Sequence, residues 1–226
     1  MEINVIKIIF ISNVLLNKDI PKFRGYLSNK YPQYNLIHNH LENGKVRYSY
    51  PLIQFKTIEK HPALIGINNG VEILQKVFPS LTELKIANKK QIVFEKEISF
   101  KKIKFGISDN IINYNIISPW LTFNQKNYLV YKEILINSKN QIEKKQKVDV
   151  LLSKILIGNI LSISKSLNYK VEEKIYLDFK LKKVFTKLKG VKMIGFKGTF
   201  RTNFLLPEYF GIGKSVSRGF GIIKQL

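Results

Sequence analysis

The sequence predicts an α+β protein made of two packed domains. Three observations lead there. A length of 226 residues with 45% hydrophobic content suits two cores of roughly 100 residues each. β-Branched runs alternate with segments that carry helix start and stop signals. The turn-forming pair Asn43-Gly44 separates two apolar runs, as in a β-hairpin. The 12% aromatic content excludes a disordered polyelectrolyte, and the lack of any cysteine excludes a disulfide scaffold or a thiolate zinc site.

In chain order, Ile3 to Ser12 is β-branched and apolar and reads as a buried strand. Asp19-Ile20-Pro21 starts a helix, with Asp19 as N-cap and Pro21 in the first turn, that runs to Lys30 and stops before Pro32. Leu36 to Leu41 and Val46 to Phe55 read as strands around Glu42-Asn43-Gly44-Lys45. Asn68-Asn69-Gly70 opens a short helix to Val77, ended by Pro79, and Leu84 to Lys101 supplies one or two strands. This βαββαβ order is the ferredoxin-like arrangement. Further on, Asn113 to Ile117 and Tyr128 to Ile136 read as strands. An amphipathic helix over Val148 to Leu167 and several strands follow. A boundary within residues 102–112 divides the chain into an N-terminal domain, 1–108, and a C-terminal domain, 109–226. The opening residues lack a signal peptide's basic segment, and the most apolar stretch carries Asp149, Lys154, Asn159 and Lys165. A soluble, cytoplasmic protein without membrane association is therefore expected.

The formal net charge is +22, from 38 basic and 16 acidic residues. Between Lys180 and Lys224 stand eleven Lys or Arg and a single acid, Glu208. A field of this size concentrates polyanions, of which nucleic acid is the commonest. AT-rich codon usage, visible in the heavy use of Lys, Asn and Ile, accounts for much of the lysine. It does not account for the four arginines Arg24, Arg47, Arg201 and Arg218, whose guanidiniums match phosphate geometry.

The most specific segment runs from Pro207 to Ile223. Gly211, Gly213, Gly219 and Gly221 are interleaved with Lys214, Ser215, Ser217 and Arg218. Glycine permits close backbone approach to an anion, and the cations and hydroxyls add contacts to the same oxygens. It is not a P-loop. Gly213-Lys214-Ser215 lacks the opening glycine, position 208 being Glu, and the residues to Leu226 leave no room for the following helix.

This loop, with Gly198-Thr199-Phe200-Arg201-Thr202-Asn203-Phe204-Leu205-Leu206-Pro207 before it, resembles the signature of the repeat-associated RAMP proteins. In particular it is similar to the CRISPR-associated endoribonucleases that cut repeat-spacer transcripts into guide RNAs. Phe23-Arg24-Gly25-Tyr26-Leu27 through Asn29-Lys30-Tyr31-Pro32, then Leu36-Ile37-His38-Asn39-His40 and Tyr48-Ser49-Tyr50-Pro51-Leu52-Ile53-Gln54-Phe55-Lys56, resemble one branch of that family. The resemblance implies two tandem ferredoxin-like domains and metal-independent RNA cleavage with no cofactor. The implied partner is CRISPR repeat RNA, joined by other effector subunits as candidates. Whether the chain is a monomer or a homodimer stays open.

Only three histidines occur, two of them as His38-Asn39-His40. On a strand, positions two apart share a face. Hydrogen-bonded surface rings, a metal pair and general acid–base catalysis are the three readings. A metal is the weakest, because two ligands without an accompanying carboxylate cluster are too few. The resemblance favours catalysis, in which imidazole, with an ordinary pKa of about 6.5, serves either proton role. The expected catalytic set is His38 and His40 as acid and base in undecided order, Lys30 stabilising the phosphorane, and Tyr48, alternatively Tyr50, orienting the 2′-hydroxyl or a phosphate. The expected RNA-binding set is Gly211, Gly213, Lys214, Ser215, Ser217, Arg218, Gly219 and Gly221, with Arg201 on a basic track before the loop. His61, beside Pro62, reads as structural. A non-catalytic RAMP subunit that only binds RNA is the alternative, and a basic protein without specificity is a third reading that leaves the paired histidines unexplained.

Overall fold

The first sheet is built on β1 (Glu2–Ile9), which pairs antiparallel with β3 (His61–Ile67) on one side and β6 (Glu97–Lys104) on the other. β2 (Ile53–Ile58) completes the order β2-β3-β1-β6. The computed structural model describes residues 1–38, 49–86 and 89–226. These form two compact units. One comprises Met1–Phe105 with Tyr209–Gly211 and Ser215–Gly219. The other comprises Gly106–Glu208, Ile212–Lys214 and Phe220–Leu226.

In the first unit α1 (Ile20–Lys30) and α3 (Asn69–Val77) are the two crossover helices. Ile20, Phe23 and Leu27 recur at helical spacing along α1 and are buried. Phe23 meets Phe10 and Phe55 edge-to-face, with ring centroids 5.9 and 5.5 Å apart. Asp19 holds the N-cap position, but its carboxylate pairs with Lys22 (2.9 Å) instead of capping a backbone N–H. A small hairpin, β4 (Glu83–Ile86) and β5 (Lys89–Ile92), precedes β6, so the expected one or two strands after Leu84 are three.

The ferredoxin-like order is present, yet its second and third strands are other residues than expected. Leu36 to Leu41 does not begin as a strand. After Pro32 the N–H groups of Tyr34 and Ile37 bond back to Tyr31 and Tyr34, forming the single helical turn α2 (Asn35–His38). Residues 39–48, with the expected Asn-Gly hairpin, lie outside the described residues. The hairpin joining β2 to β3 turns at Glu59 and Lys60, both at positive φ (50° and 70°). That backbone normally selects Asn or Gly, so these two residues gave no turn signal.

The second unit repeats the topology. β7 (Gly106–Trp120), β8 (Leu177–Leu188), β9 (Val191–Leu205) and β10 (Ile223–Gln225) pair antiparallel in the order β10-β7-β9-β8. Numbered within each unit, both sheets run fourth-first-third-second, so the fold is two ferredoxin-like domains. Between β7 and β8 stand α4 (Gln125–Asn137) and α5 (Gln141–Ser166). Tyr128 to Ile136, expected as a strand, is helical. The Asn124 side chain caps the Asn127 N–H (2.7 Å), and only Tyr131 of α4 is buried, a demand that one helix face meets and an alternating strand does not. Likewise Asn140 caps α5, so the helix expected from Val148 begins earlier, with the charged run at 143–147 in its first turns. Between β9 and β10, where a second crossover helix would stand, lies the glycine-rich segment with one 3-10 turn, Val216–Arg218. No helix among the described residues is long and apolar enough to cross a membrane.

Candidate functional site

The site is assembled in the first unit, from α1, α2 and the segments of the glycine-rich loop that pack there. The 3-10 turn lies against α1 and β2. Gly219, at φ 82°, follows it, and a side chain at that position would collide with Ile20 at the start of α1. Three buried polar groups grip this stretch. The Tyr50 hydroxyl donates to the Gly211 carbonyl (2.8 Å), the Gly211 N–H donates to Gln54 Oε1 (3.1 Å), and the Lys56 ammonium donates to the Val216 carbonyl (3.4 Å). Gln54 and Lys56 are fully buried although both lie in the middle of β2. Burial raises the Tyr50 phenol far above its ordinary range and lowers the Lys56 ammonium to about 7.

The turn held in this way presents Ser217 and Arg218 beside Arg24 of α1. Arg24 Nη1 donates to Ser217 Oγ (3.2 Å), and Nη2 donates to the His38 carbonyl, so one guanidinium joins the loop to the histidine turn. Burial, and then the neighbouring charge of Arg218, lower Arg24 below its ordinary range. Among the described residues no carboxylate pairs with either guanidinium. Two cations held together without an acid, next to a hydroxyl and a histidine, form a site suited to an anion.

His38 is half-buried at the end of α2. The shared strand face argued for His38 and His40 does not apply at His38, which is helical, and His40 and Tyr48 lie outside the described residues. Lys30 ends α1, where its ammonium donates to the Ser80 carbonyl (3.2 Å) and lies 5.8 Å from the ring centroids of Tyr26 and Tyr31. Six helical residues separate it from Arg24, which at about 100° per residue sets the two side chains on different faces of α1. Arg24 is thus the α1 cation that touches both His38 and the loop. Its scarcity among lysines and its place in the Phe23–Leu27 motif were the sequence signals for it. Gln54 and Lys56 stood in the Tyr48–Lys56 motif, but their burial gave no signal, because polar residues alternating with apolar ones read as a solvent face. His61 Nδ1 donates to the Asn13 carbonyl (2.8 Å), a structural contact.

The rest of the loop packs in the second unit. Gly221, at φ 64°, lies so close to the Ile212 carbonyl that any side chain would collide, and a Cβ on Gly213 would stand 2.6 Å from the Trp120 ring. These glycines admit protein atoms, which is what shapes the loop. Lys214 is exposed and donates to the Phe123 carbonyl (3.0 Å). Arg201 on β9 is paired with Asp178 of β8 (2.8 Å). The β8–β9 hairpin exposes Lys180, Lys182, Lys183, Lys187, Lys189, Lys192 and Lys197, and near its tip Phe185 lies under the ammoniums of Lys183 and Lys192 (5.6 and 4.5 Å). Among the described residues no three His, Asp or Glu side chains gather as metal ligands would.

Two ferredoxin-like units in one chain match the Cas6/RAMP-type double ferredoxin-like fold. Within it the match is specific. Residues 1–104 fit the Cas6b N-terminal domain and residues 106–226 the Cas6b C-terminal domain, so this chain belongs to the Cas6b family. It is similar to a crystal structure of Cas6b at 38% identity and TM-score 0.90, and to a CRISPR RNA processing endoribonuclease Cas6b at 35% and 0.78, each comparison covering both chains fully. An uncharacterized protein of Methanocaldococcus jannaschii is 45% identical over 145 residues, which are 60% of this chain and 89% of that one.

Proposed function

We propose that this protein is the endoribonuclease that cuts CRISPR repeat RNA within its precursor transcript to release guide RNAs. The observation that carries the reading is the Arg24–Arg218 pair, unmatched by any described carboxylate and tied by Arg24 to both His38 and Ser217. Its membership of the Cas6b family, which includes a CRISPR RNA processing endoribonuclease, gives that anion site its substrate class.

The chemistry is transesterification. The 2′-oxygen next to the scissile phosphate attacks phosphorus while a base removes its proton. The P–O5′ bond then breaks as an acid protonates the leaving oxygen. The products are a 2′,3′-cyclic phosphate and a 5′-hydroxyl. His38 and His40 serve as the acid–base pair, and Tyr48 orients the reacting ribose. The guanidiniums of Arg24 and Arg218, and not the Lys30 ammonium turned toward Ser80, balance the charge that grows on the non-bridging oxygens. Residues 1–108 carry the acid and base. Residues 109–226 bind RNA through Lys214, Ser215, Ser217 and Arg218, on a loop whose shape Gly211, Gly213, Gly219 and Gly221 set by packing against protein atoms, and the basic β8–β9 hairpin with Arg201 continues the track. Imidazole and guanidinium groups suffice, so no metal takes part.

The test is incubation with the repeat RNA of its own genome in EDTA. One cut per repeat, ending in a 2′,3′-cyclic phosphate, is expected. Tight binding without cleavage would instead assign the protein as a non-catalytic RNA-binding subunit, and cleavage only with added metal would overturn the mechanism.

A further inference from the structure

Among the described residues Lys56 is the one fully buried lysine of the core, and the mechanism above does not use it. No described carboxylate pairs with it, and its ammonium meets the Val216 carbonyl of the 3-10 turn at 3.4 Å. The room it occupies is bounded by Gly211, where a Cβ would stand 2.8 Å from the ammonium nitrogen. The ionisable groups carried by the elements packed against β2 are Lys22, Arg24, Tyr26 and Lys30 on α1, His61 on β3, Arg218 on the turn, and Tyr50 leading into the strand. None is a carboxylate, and burial alone, not a neighbouring charge, depresses the ammonium to about 7. A buried cation that lacks a counter-ion is costly. The turn directly above it is the one that presents Ser217 and Arg218.

We infer that Lys56 is a proton-linked positioning residue: charged, it braces the 216–218 turn from below, and binding of an RNA phosphate on that turn draws a proton onto it. This rests on the RNA-binding reading above. The phosphate supplies the negative charge that the buried site lacks, so the protonated form binds RNA more tightly, and by reciprocity RNA favours the protonated form. If bound RNA strengthens proton binding at Lys56 about tenfold, binding at pH 7.5 takes up about half a proton there, and affinity falls up to about tenfold from pH 6 to 9.

The test compares the wild-type protein with Lys56→Met, whose apolar side chain of similar length fits a dry site. Each binds 2′-O-methylated repeat RNA of its own genome, which has no nucleophilic hydroxyl, in calorimetry at pH 7.5 across buffers of different ionisation heat. Every other side chain is common to both proteins, so the difference between them reports Lys56. The expected result is that wild type takes up about half a proton more per RNA than Lys56→Met and loses affinity more steeply with pH. Equal proton uptake by two proteins that both bind would overturn the inference and leave the RNA-binding reading standing. Failure of both to bind would overturn that reading and the inference with it. Should Lys56→Met not fold, the Lys56 side-chain NMR titration of the wild type decides: its midpoint rises with RNA, and an unmoved midpoint ends the proposal.

Discussion

His38 and Arg24 divide the labour of the proposed site between proton transfer and charge. Replacing His38 with Ala removes an acid or base and leaves the Arg24–Ser217 contact in place. Cleavage should slow at least about a hundredfold with RNA affinity nearly unchanged, as read from single-turnover kinetics beside binding; an unaltered rate would take His38 out of the mechanism. Arg218→Glu should weaken binding as well as slow cleavage, lowering the salt slope by about 0.7 for each phosphate that the guanidinium no longer neutralises. Lys56 gives a stability prediction separate from RNA. Its ammonium is held at about 7 in the folded protein against 10.5 for an ordinary lysine. Between those values the unfolded chain binds the extra proton, so stability rises as pH is raised from about 7 to 10. Lys56→Met should flatten that rise, worth roughly 3–5 kcal/mol, in denaturant midpoints.

At the scale of elements, α1 links the core to the site. Its Phe23 fills the space between Phe10 and Phe55, so Phe23→Ala should cost about 3–5 kcal/mol in equilibrium unfolding. The helix was readable from Asp19-Ile20-Pro21 and the stop before Pro32. The segment after it was not. Leu36 to Leu41 has strand composition, but hydrogen bonds available within three residues form a turn before any strand partner is reached. Tyr128 to Ile136 failed for the converse reason: its aromatic and β-branched residues suit a strand, and the Asn124 cap with a single buried position made it a helix. The glycine-rich loop was legible as a special segment, though its glycines make room for Ile20, Trp120 and the Ile212 carbonyl. Gly221→Ala should therefore destabilise the protein and weaken RNA binding together, in thermal unfolding and gel-shift assays.

Over the whole molecule the net charge of +22 makes RNA affinity steeply salt-dependent, and the β8–β9 hairpin exposes a run of seven lysines. Reversing Lys182, Lys183 and Lys192 to Glu should weaken repeat binding and reduce the salt slope, while the cleavage rate of bound RNA stays near that of the wild type. Two domains, a basic RNA-seeking character, the family motifs at both ends and the candidate histidines could all be read from residue order, because composition, capping and local spacing are properties of short stretches of chain. Which strands pair, which arginine meets His38, and that Gln54 and Lys56 lie sealed beneath a loop more than 150 positions away in sequence were settled only by the folded structure. Burial on both faces of a sheet and contact between distant segments depend on long-range packing, and no local pattern of polar and apolar residues encodes them.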